Sequence, residues 1–557
     1  MDKGDENLIK TAPESENYGE TFDISKNKTA DFVAKSDDNG DKPRFFAPLF
    51  SIFNARPFLS GAIGFIIGIF AVYYSIYFGF YVALAVAVIA AVLCVFALKF
   101  AKDKSKKACA VIFAALILLG GIRAFISAAD YFSCKNYGGT VDFSRRVERV
   151  FVNGNQVCFE VSNGYARGEK LKGTAYVYVF KNRINGVIPS KYDVIQLKAT
   201  LKRATDLDGG ETKAKYFASG VYYIASGESK VKVAGQNRNF FENCRAYVEK
   251  YIKSAYSEQN YGVMLALTVG DTSALSEETA NAFRLSGLAH VFAVSGLHIG
   301  LFSSLFLLLS KLLKFKRFKK CALVLIPTLF YVGICGFSSS SVRAFIMLAV
   351  ILLSQQIGFK HDKLSALSIA ALIITFISPR SAFNKGWQLS FSAISGIFLL
   401  SPVLKRGSKP LPEIFGESVS VSLAAQLGTL PILTDMCGYM SIIAPFANLI
   451  MLPLISIIYQ ITAVLCLIGI PLFALGAGEN AFKIISFLPD NALSAISAII
   501  TAVNYEKLII PFTFGAAAVP YYFALITVSD VTNLKMKRKI MLFAALFCCA
   551  CVLFAIK

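Results

Sequence analysis

A chain of 557 residues is long enough for several soluble domains, but 55% hydrophobic residues, only 17% charged residues and a mean hydropathy of +0.56 exclude an ordinary soluble protein. These values indicate a polytopic membrane protein, for which lipid is the main solvent. The formal net charge is +21, although residues 1–44 hold 11 acidic and only 7 basic side chains. The positive excess therefore lies in the rest of the chain, and most of it is expected in cytoplasmic loops, where Lys and Arg accumulate.

Residues 1–45 are predicted to form a disordered, acidic cytoplasmic tail, because they are rich in polar side chains and too poor in apolar ones to build a core. The first apolar run begins only near Phe58, which is too late and too long for a cleavable signal peptide. A bilayer crossing needs roughly 20 residues, so the next segment, 46–129, is predicted to contain three transmembrane helices. Their approximate bounds are 58–78, 79–99 and 108–128. The basic loop 99–107 belongs in the cytoplasm, which places the chain after residue 128 outside.

Residues 130–238 lack the membrane pattern and are predicted to form one extracytoplasmic all-β domain. Short β-type runs separated by Gly, Asn and Asp turns cover residues 150–152, 157–161, 174–180, 194–201 and 221–225. Five such strands suit an OB-like barrel, a fold that often binds nucleic acid on one face. The segment holds 18 basic and 10 acidic residues. Attraction of a phosphate backbone explains this excess on the outer side, and a merely solvated basic surface is the alternative.

Residues 239–286 are predicted to link the β domain to the channel domain through amphipathic helices. Apolar positions recur at helical spacing over 240–257, with Arg245 and Lys250 on the polar side, which is typical of a helix on the outer membrane surface. Asp271 follows Gly270 in a pattern typical of a turn before an N-capped helix. A hinge or gate ahead of the next helix is the functional alternative.

Residues 287–557 form the predicted transmembrane channel domain, and the whole chain is expected to have about 11–13 transmembrane helices. The segment 440–470 suits one bent or two short helices, and 480–503 could lie in the membrane interface. The predicted spans lie near residues 287–311, 320–336, 342–359, 364–378, 387–404, 417–434, 440–470, 480–503, 508–527 and 538–556.

The run GLAHVFAVSGLHIGL at residues 287–301 places His290, Ser295 and His298 inside otherwise membrane-grade hydrophobic sequence. Each unsatisfied polar group in hydrocarbon costs several kcal/mol, so such side chains normally face a bundle interior or a watery path. Small residues allow a neighbouring helix to approach closely. The glycines predicted to serve this packing are Gly287, Gly296 and Gly300.

With the lead-in segments LALTVGD (265–271) and FRLSGLAH (283–290), this run resembles the signature of the ComEC family of competence proteins. Four further motifs occur in the order found in that family. They are GFSSSSVRA (336–344), GWQLSF (386–391), AQLGTLP (425–431) and ANLIMLP (447–453). The resemblance covers roughly residues 55–510. It implies a multi-pass protein of the bacterial inner membrane that passes one DNA strand into the cytoplasm during transformation, with an OB-like domain outside.

The partners implied by the resemblance are single-stranded DNA, a DNA receptor protein outside and a helicase-like ATPase inside. The sequence has no Walker A motif, so the energy for pulling must come from a partner or from the membrane potential. Longer relatives end in a metallo-β-lactamase-like domain that is thought to degrade the unwanted strand, and its His-x-His-x-Asp-His motif is absent from this sequence. The chain is therefore expected to be a short form without enzymatic activity, served by a separate nuclease. No cofactor is expected, and the oligomeric state stays open.

Polar side chains on different predicted spans are candidates for a hydrated DNA path if they converge. Hydrogen bonds that only hold the helices together are the alternative for each of them. Arg343 differs, because a cation after four serines at the start of a span suits a phosphate. The path candidates are Asp271, His290, Ser295, His298, Arg343, Gln388, Gln426 and Asn448.

Two rival functions use the same residues. Ser295 with His298 could serve an intramembrane serine hydrolase, although the Gly-x-Ser-x-Gly elbow is missing. A transporter of smaller anions on the same scaffold is the other rival. No metal site is expected, because the histidines lack zinc spacing and His361 lies in a basic loop. Cys134 and Cys158 flank the start of the β domain, where a disulfide could persist.

Overall fold

The fold is described from a computed structural model that covers residues 56–78, 85, 88, 104–184, 186–357, 362–407, 412–476, 479–503, 505–529 and 536–555. The predicted tail 1–45, nearly all of the predicted span 79–99 and His361 lie outside these described residues. The described chain is mostly helical and contains one larger β-sheet.

Sixteen α-helices occur among the described residues. They are α1 (Pro57–Phe78), α2 (Lys104–Phe132), α3 (Gly210–Ser219), α4 (Phe240–Ala255), α5 (Tyr261–Val269), α6 (Glu277–Leu285), α7 (Gly296–Leu312), α8 (Arg317–Ile334), α9 (Ser339–Ile357), α10 (Lys363–Ile377), α11 (Lys385–Gly407), α12 (Glu413–Cys437), α13 (Ala444–Ala474), α14 (Glu479–Ala502), α15 (Ala518–Val528) and α16 (Met536–Ala555).

Seven of these helices are long and apolar enough to cross a membrane, namely α1, α2, α9, α11, α12, α13 and α14. Three shorter apolar helical segments, Gly296–Leu312, Lys363–Ile377 and Gly515–Val528, lie among them. The chain is thus a multi-pass membrane protein with a β domain, as its composition predicts. The finer count of about 11–13 crossings stays a prediction.

The β domain is a closed sheet. Its strands are β1 (Thr140–Asn153), β2 (Gln156–Ala166), β3 (Glu169–Lys170), β4 (Thr174–Phe180), β5 (Asp193–Arg203), β6 (Val221–Gly227) and β7 (Lys232–Gln236). The order is β1-β2-β4-β6-β5, and β1 also pairs with β5, so five main strands form a barrel. The β4–β6 pair is parallel, and the other main pairs are antiparallel. All five predicted strands are present, and β1 begins ten residues before its predicted start.

The alternation of buried and exposed residues explains why these segments form strands. Val157, Phe159 and Val161 of β2 point into the barrel, while the residues between them are only half-buried. Side chains that alternate in this way match the two-residue repeat of a strand with one face in a core.

The barrel core continues into the first two helices. Phe65 of α1 and Tyr131 of α2 belong to the same buried cluster as Phe159 inside the barrel. Two glycines let these helices touch backbone to backbone: a Cβ on Gly68 would lie 2.0 Å from the Ile117 carbonyl oxygen, and α2 makes the reciprocal contact through Gly120. The apolar core of the barrel is therefore continuous with the apolar contact between α1 and α2.

A second core joins α4, α5 and α6 to α13 and α14. The predicted amphipathic helix 240–257 is confirmed as α4, but its apolar side is not free to lie on a membrane surface. Val248, Tyr251 and Ile252 are buried in this core, and the Tyr251 hydroxyl donates to the Leu465 carbonyl of α13 at 3.2 Å. Burial against other helices thus replaces the predicted lipid contact.

Two predicted spans have different local structure. The span 287–311 is helical only from Gly296 onward, because Gly287 has a positive φ of 79° and residues Ala289–Phe292 form a short 3-10 turn. The span 508–527 begins with the strand β9 (Ile509–Pro511), which pairs with β8 (Tyr439–Ser441), and its α-helix starts only at Ala518. By contrast, the predicted span 440–470 is one continuous helix from Ala444 onward, because α13 (Ala444–Ala474) runs without a break through Pro453 and Pro471.

Candidate functional site at the start of α7

Ser295 and His298 together cap the N-terminus of α7. The Ser295 backbone N–H donates to His298 Nδ1 at 3.2 Å, and Ser295 Oγ lies 3.1 Å from the same nitrogen. Because a backbone N–H can only donate, His298 Nδ1 must be an acceptor, which places the proton of the neutral ring on Nε2. The pair thus satisfies orphan groups at the helix start, in the manner of a capping box.

A small cavity of about 80 Å³ opens beside this cap. His290, Ser295 and His298 line it together with apolar residues of α13 and the Ser456 hydroxyl group. The three polar residues of the signature run therefore share one cavity, and their place in a DNA path stays a prediction. His290 is exposed, and its Nδ1 lies 3.1 Å from the Gly287 carbonyl oxygen.

A chain of buried hydroxyl groups lies behind His298. The Tyr459 hydroxyl is 3.2 Å from the His298 carbonyl oxygen and 2.9 Å from the Tyr331 hydroxyl, which donates to the Thr268 carbonyl at 2.6 Å. The imidazole itself packs edge-on against the Tyr459 ring at 4.5 Å. These contacts connect α7 to α13, α8 and α5. Sequence reasoning missed both tyrosines, although a tyrosine inside an apolar span is a signal for a buried hydrogen bond.

Arg343 lies near the start of α9, and its guanidinium faces Gly296 at the start of α7. Its side chain is buried, with 4% of the residue exposed, and Nε donates to Ser390 Oγ of α11 at 2.8 Å. A Cβ on Gly296 would lie 3.0 Å from Arg343 Nη2, which is a tight contact, so the glycine lets the guanidinium approach the start of α7 closely. Three sequence motifs, which contribute Gly296, Arg343 and Ser390, therefore meet at one point.

The remaining neighbours of Arg343 are weakly polar or apolar. Nη1 is 3.7 Å from Met347 Sδ, and the guanidinium carbon is 5.8 Å from the centre of the Phe391 ring. Within the described part of the chain, no carboxylate forms an ion pair with Arg343. A buried cation without a counter-ion costs several kcal/mol. Such a cation is suited to an anionic ligand, which would supply the missing charge.

Serine side chains surround the start of α9. Ser338 Oγ accepts the Ser341 backbone N–H at 3.3 Å, and Ser340 Oγ is 3.1 Å from Ser390 Oγ. Ser338 therefore caps α9, and Ser340 lies next to the Ser390 hydroxyl that contacts Arg343.

Comparison with known proteins identifies the region that carries this site. Residues 267–535 match the family model described as "Competence protein". A 209-residue segment is 30% identical to ComE operon protein 3 of Bacillus subtilis and covers 38% of this chain and 26% of that protein. A 212-residue segment is 28% identical to competence protein ComA of Neisseria gonorrhoeae and covers 35% of this chain and 28% of that protein. Residues 267–535 thus carry the competence-protein domain, and the resemblance to the ComEC family is confirmed over this region.

Further comparisons set the extent of this similarity. An uncharacterized protein of Aquifex aeolicus is 27% identical over 328 residues, which cover 55% of this chain and 74% of that protein. The match to the two competence proteins spans only about a quarter of their length. No solved structure matches the chain significantly.

Other candidates for the predicted path have local partners instead of lining the cavity. Asp271 forms an ion pair with Arg245 at 2.7 Å and accepts the Ser273 N–H. Burial alone would raise the pKa of Asp271, but the Arg245 charge and the Ser273 hydrogen bonds hold it below its usual value. The turn is confirmed, and Ser276 caps the following helix through the Thr279 N–H.

The side-chain amides of Gln388, Gln426 and Asn448, on later predicted spans, form no hydrogen bond with one another in the described part of the chain. Gln388 Nε2 donates to the Ala382 carbonyl at 3.0 Å, and Gln426 Nε2 is 3.4 Å from Ser422 Oγ. Asn448 is buried, and its Oδ1 has no hydrogen-bond partner among the described residues. Their place in a DNA path stays a prediction.

The glycines of the signature run differ in their surroundings. A Cβ on Gly287 would lie 2.4 Å from the Ala444 Cβ of α13, which confirms a close approach there. At Gly300 a Cβ would meet no heavy atom within 4 Å in the described part of the chain. Gly300 is exposed among the described residues, so its role in helix packing stays a prediction.

The possible disulfide between Cys134 and Cys158, which the sequence left open, is not formed in the structure, where both are free thiols. Cys134 is buried in the core of the β domain, whereas Cys158 lies between two inward-facing residues of β2 and therefore faces outward. The two side chains lie on different faces of the barrel wall, which explains why they do not pair.

Catalytic and metal-binding interpretations have little geometric support. Groups of three or more His, Cys, Asp or Glu residues that could hold a metal ion do not occur among the described residues. The Ser295–His298 contact has the distance of a nucleophile and base, but Nδ1 already accepts the helix-capping N–H. The cavity beside it is also far smaller than the roughly 300 Å³ that a small-molecule pocket needs.

Proposed function

We propose that this chain is an inner-membrane channel that passes single-stranded DNA from the outside into the cytoplasm during natural transformation. The observation that carries this proposal is the buried guanidinium of Arg343, which faces Gly296 and has no carboxylate partner among the described residues. The match of residues 267–535 to the competence-protein family and the similarity to ComE operon protein 3 and competence protein ComA support it.

Arg343 would bind the phosphates of the DNA strand one after another as the strand moves through the membrane. A guanidinium presents a planar set of N–H donors that match phosphate oxygens, and Nη2 is the group of Arg343 that has no hydrogen-bond acceptor in the described chain. The low polarity around it strengthens its attraction for an anion. The nearby Ser340 and Ser390 hydroxyls would contact the sugar-phosphate backbone of the DNA strand as it passes. His290, Ser295 and His298 would keep the adjacent cavity hydrated.

The barrel would collect the DNA before it enters the membrane. The segment 130–238 carries 18 basic and 10 acidic residues, and its closed five-stranded sheet is what an OB-like fold requires. Phosphate attraction and base stacking are the interactions that proteins use to hold single strands without sequence preference. In this proposal residues 130–238 lie outside the cell and the N-terminus lies in the cytoplasm.

Other proteins would supply what the channel lacks. A receptor outside would deliver DNA, and a helicase-like ATPase inside would pull the strand, because the sequence contains no Walker A motif. The proposed bundle has about 11–13 crossings, of which seven long helices are described.

Transport of smaller anions is the second candidate, and the same Arg343 environment favours it. A single buried cation does not distinguish a phosphate ion from a phosphodiester, whereas a barrel with basic excess favours a long polyanion. The serine hydrolase is less well supported, because the Ser295 hydroxyl belongs to a helix cap.

The test is binding of DNA to the full-length protein in lipid nanodiscs. A labelled oligonucleotide of about 20 nucleotides should bind single-stranded in preference to duplex. Its affinity should fall steeply between about 50 and about 200 mM salt. Absence of binding at low salt would contradict the proposal, and competition by inorganic phosphate at millimolar concentration would favour the smaller-anion transporter.

A further inference from the structure

The outer wall of the barrel contains a groove along the seam where β1 closes onto β5. We call it the seam groove, and its volume is about 590 Å³. Its floor is the β1–β5 ladder, in which Asp142 pairs with Lys198 and Ser144 pairs with Gln196. Strand β7 extends the floor, because Lys232 pairs with Gln196 on the other side of β5. The groove thus follows a hydrogen-bonded floor of three strands.

The wall of the seam groove is held in place by backbone contacts. Ser229, in the β6–β7 loop, accepts the Lys198 N–H through Oγ at 2.8 Å, and the Lys198 carbonyl accepts the Glu228 N–H at 2.8 Å. The Glu228 carboxylate is turned away to Thr140, whose hydroxyl donates to it at 2.7 Å. The groove is therefore formed before any ligand binds.

Positive charge dominates the seam groove. Lys198, Lys230 and Lys232 all line it and are all exposed, whereas Asp142 is its one acidic lining residue. None of the three lysines forms an ion pair within the described part of the chain, although other basic residues of the barrel do, such as Arg146 and Arg203. Their ammonium groups are free to bind an anionic polymer.

An aromatic ring stands at one end of the seam groove. Tyr165 pairs with Ser144 across β2 and β1, and 55% of the residue is exposed. An exposed tyrosine next to unpaired lysines offers a stacking surface for a base beside contacts for the phosphates.

We propose that the seam groove is the site at which this protein holds single-stranded DNA, with phosphates on Lys198, Lys230 and Lys232 and a base stacked on Tyr165. The inference rests on the proposed function and assigns its DNA-binding step to one face of the barrel. Neither the strand pattern nor the net charge of the segment selects this face.

Binding of a labelled single-stranded oligonucleotide to the full-length protein, in nanodiscs of neutral phosphatidylcholine, tests the assignment. One variant combines Lys198→Gln, Lys230→Gln and Lys232→Gln. A matched control combines Lys181→Gln, Lys202→Gln and Lys215→Gln, which remove the same charge from exposed barrel residues outside the groove. Because all six side chains are exposed, both variants should fold, and equal thermal unfolding midpoints verify this.

The expected result separates local contacts from overall charge. For single strands, each phosphate contact adds about 0.7 to the slope of log affinity against log salt, so the groove variant should lose about 2 from this slope. The control variant should lose much less. Tyr165→Ala should weaken binding roughly five- to a hundredfold without changing the slope, and Tyr165→Phe should keep wild-type affinity, because stacking needs the ring and not the hydroxyl.

The possible failures are distinguishable. If the wild-type protein binds no DNA at low salt, the proposed function fails together with the groove. If the wild type binds but the two triple variants weaken binding equally, DNA is held by diffuse charge and the groove assignment is overturned. A groove variant that keeps DNA affinity but loses binding to phosphatidylglycerol vesicles would make the groove a lipid site, which also overturns it.

Discussion

Among the residues that the structure describes, the barrel and the membrane bundle each bury one arginine without a carboxylate partner, and the two arginines are held differently. Arg145 of β1 is fully buried inside the barrel, and Nη1 donates to the Gly173 carbonyl at 2.8 Å and to the Val161 carbonyl at 3.4 Å. Arg343 donates to the Ser390 hydroxyl at 2.8 Å. One guanidinium is thus fixed to backbone oxygen atoms, and the other is fixed to a side chain.

This difference indicates different roles. Backbone carbonyls cannot leave, so Arg145 is held permanently among β1, β2 and the turn before β4, even though Nε and Nη2 have no partner. A serine hydroxyl can rotate and accept water instead, so Arg343 can exchange its contact for a phosphate oxygen. We infer that Arg145 is a structural residue and that Arg343 is the residue available for a ligand.

Replacement of Arg343 should have the largest effect. Arg343→Gln removes the charge but keeps a hydrogen-bond donor, and we expect DNA uptake to fall roughly ten- to a hundredfold at unchanged membrane abundance, because hydrogen bonds to charged groups contribute about 1.5–3 kcal/mol. Arg343→Lys keeps the charge without the planar fork and should give intermediate uptake. Uptake and protein abundance are measured in the same cells. Unchanged uptake in Arg343→Gln would remove this residue from the proposed path.

Ser390→Ala should reduce DNA uptake by a smaller factor than Arg343→Gln does. The substitution deletes the hydroxyl that orients Arg343 Nε but leaves the charge in place. A hydrogen bond of this kind contributes about 1 kcal/mol, so we expect uptake to fall roughly fivefold. Ser392→Ala on the same helix is the matched control, because its hydroxyl bonds only to the Leu389 carbonyl of its own helix. Equal losses in both variants would indicate a general effect on α11.

Arg145→Met should change stability and leave uptake unaltered. Burial lowers the pKa of Arg145 from 12.5 to about 10, which corresponds to a cost of about 3 kcal/mol for the charged form. Methionine avoids that cost but leaves the Gly173 carbonyl without its donor, at about 1–3 kcal/mol. We therefore expect the free energy of unfolding to be unchanged or raised by up to about 2 kcal/mol, as measured by denaturation of the full-length protein.

The pH dependence of Arg145→Met follows from the sign of that shift. The folded-state pKa is below the unfolded one, so the penalty is complete at all pH values below the folded pKa and is relieved only as the pH rises through about 10. The difference between variant and wild type should accordingly be constant from about pH 6 to about pH 8. A large loss of stability would show that Arg145 contributes more through its two hydrogen bonds than its burial costs.

Ser295→Ala should have the smallest effect. The hydroxyl caps α7 beside His298, and loss of an N-cap residue costs about 1 kcal/mol, while water in the adjacent cavity can replace its hydration. We expect uptake within about threefold of wild type at slightly lower abundance. Complete loss of function with normal abundance would favour the serine hydrolase instead, because a nucleophile has no substitute.

Sequence patterns predicted which segments form barrel strands better than they predicted where the strands begin and end. Inward-facing Val, Ile and Phe residues gave a clear two-residue repeat in β2, β4 and β5. The first half of β1 escaped prediction because Arg145 occupies an inward position and Arg146 and Glu148 surround it, so the segment reads as polar. A buried charge breaks the pattern on which strand prediction depends.

The site could be predicted in its residue types but not in its contacts. Arg343 and His298 stood out because polar groups in apolar segments need a partner. The partners Ser390 and Tyr459 lie 47 and 161 positions away in sequence, and only the packing of α9 on α11 and of α7 on α13 brings them close. The late start of α7 was missed because the apolar run crosses the 3-10 turn without any change in composition.

The contact of α1 with α2 through Gly68 and Gly120 has a mechanical consequence for the barrel that stands on them. The barrel core is continuous with the core of these helices, so the barrel is rigidly attached to them. The hydrogen bond from the Tyr131 hydroxyl of α2 to the Lys213 carbonyl of α3 adds to this attachment. A strand held on the barrel and pulled from within the membrane would load this helix pair directly. In the proposed function, tension on the DNA would then pass from the barrel to α1 and α2 with little deformation between them.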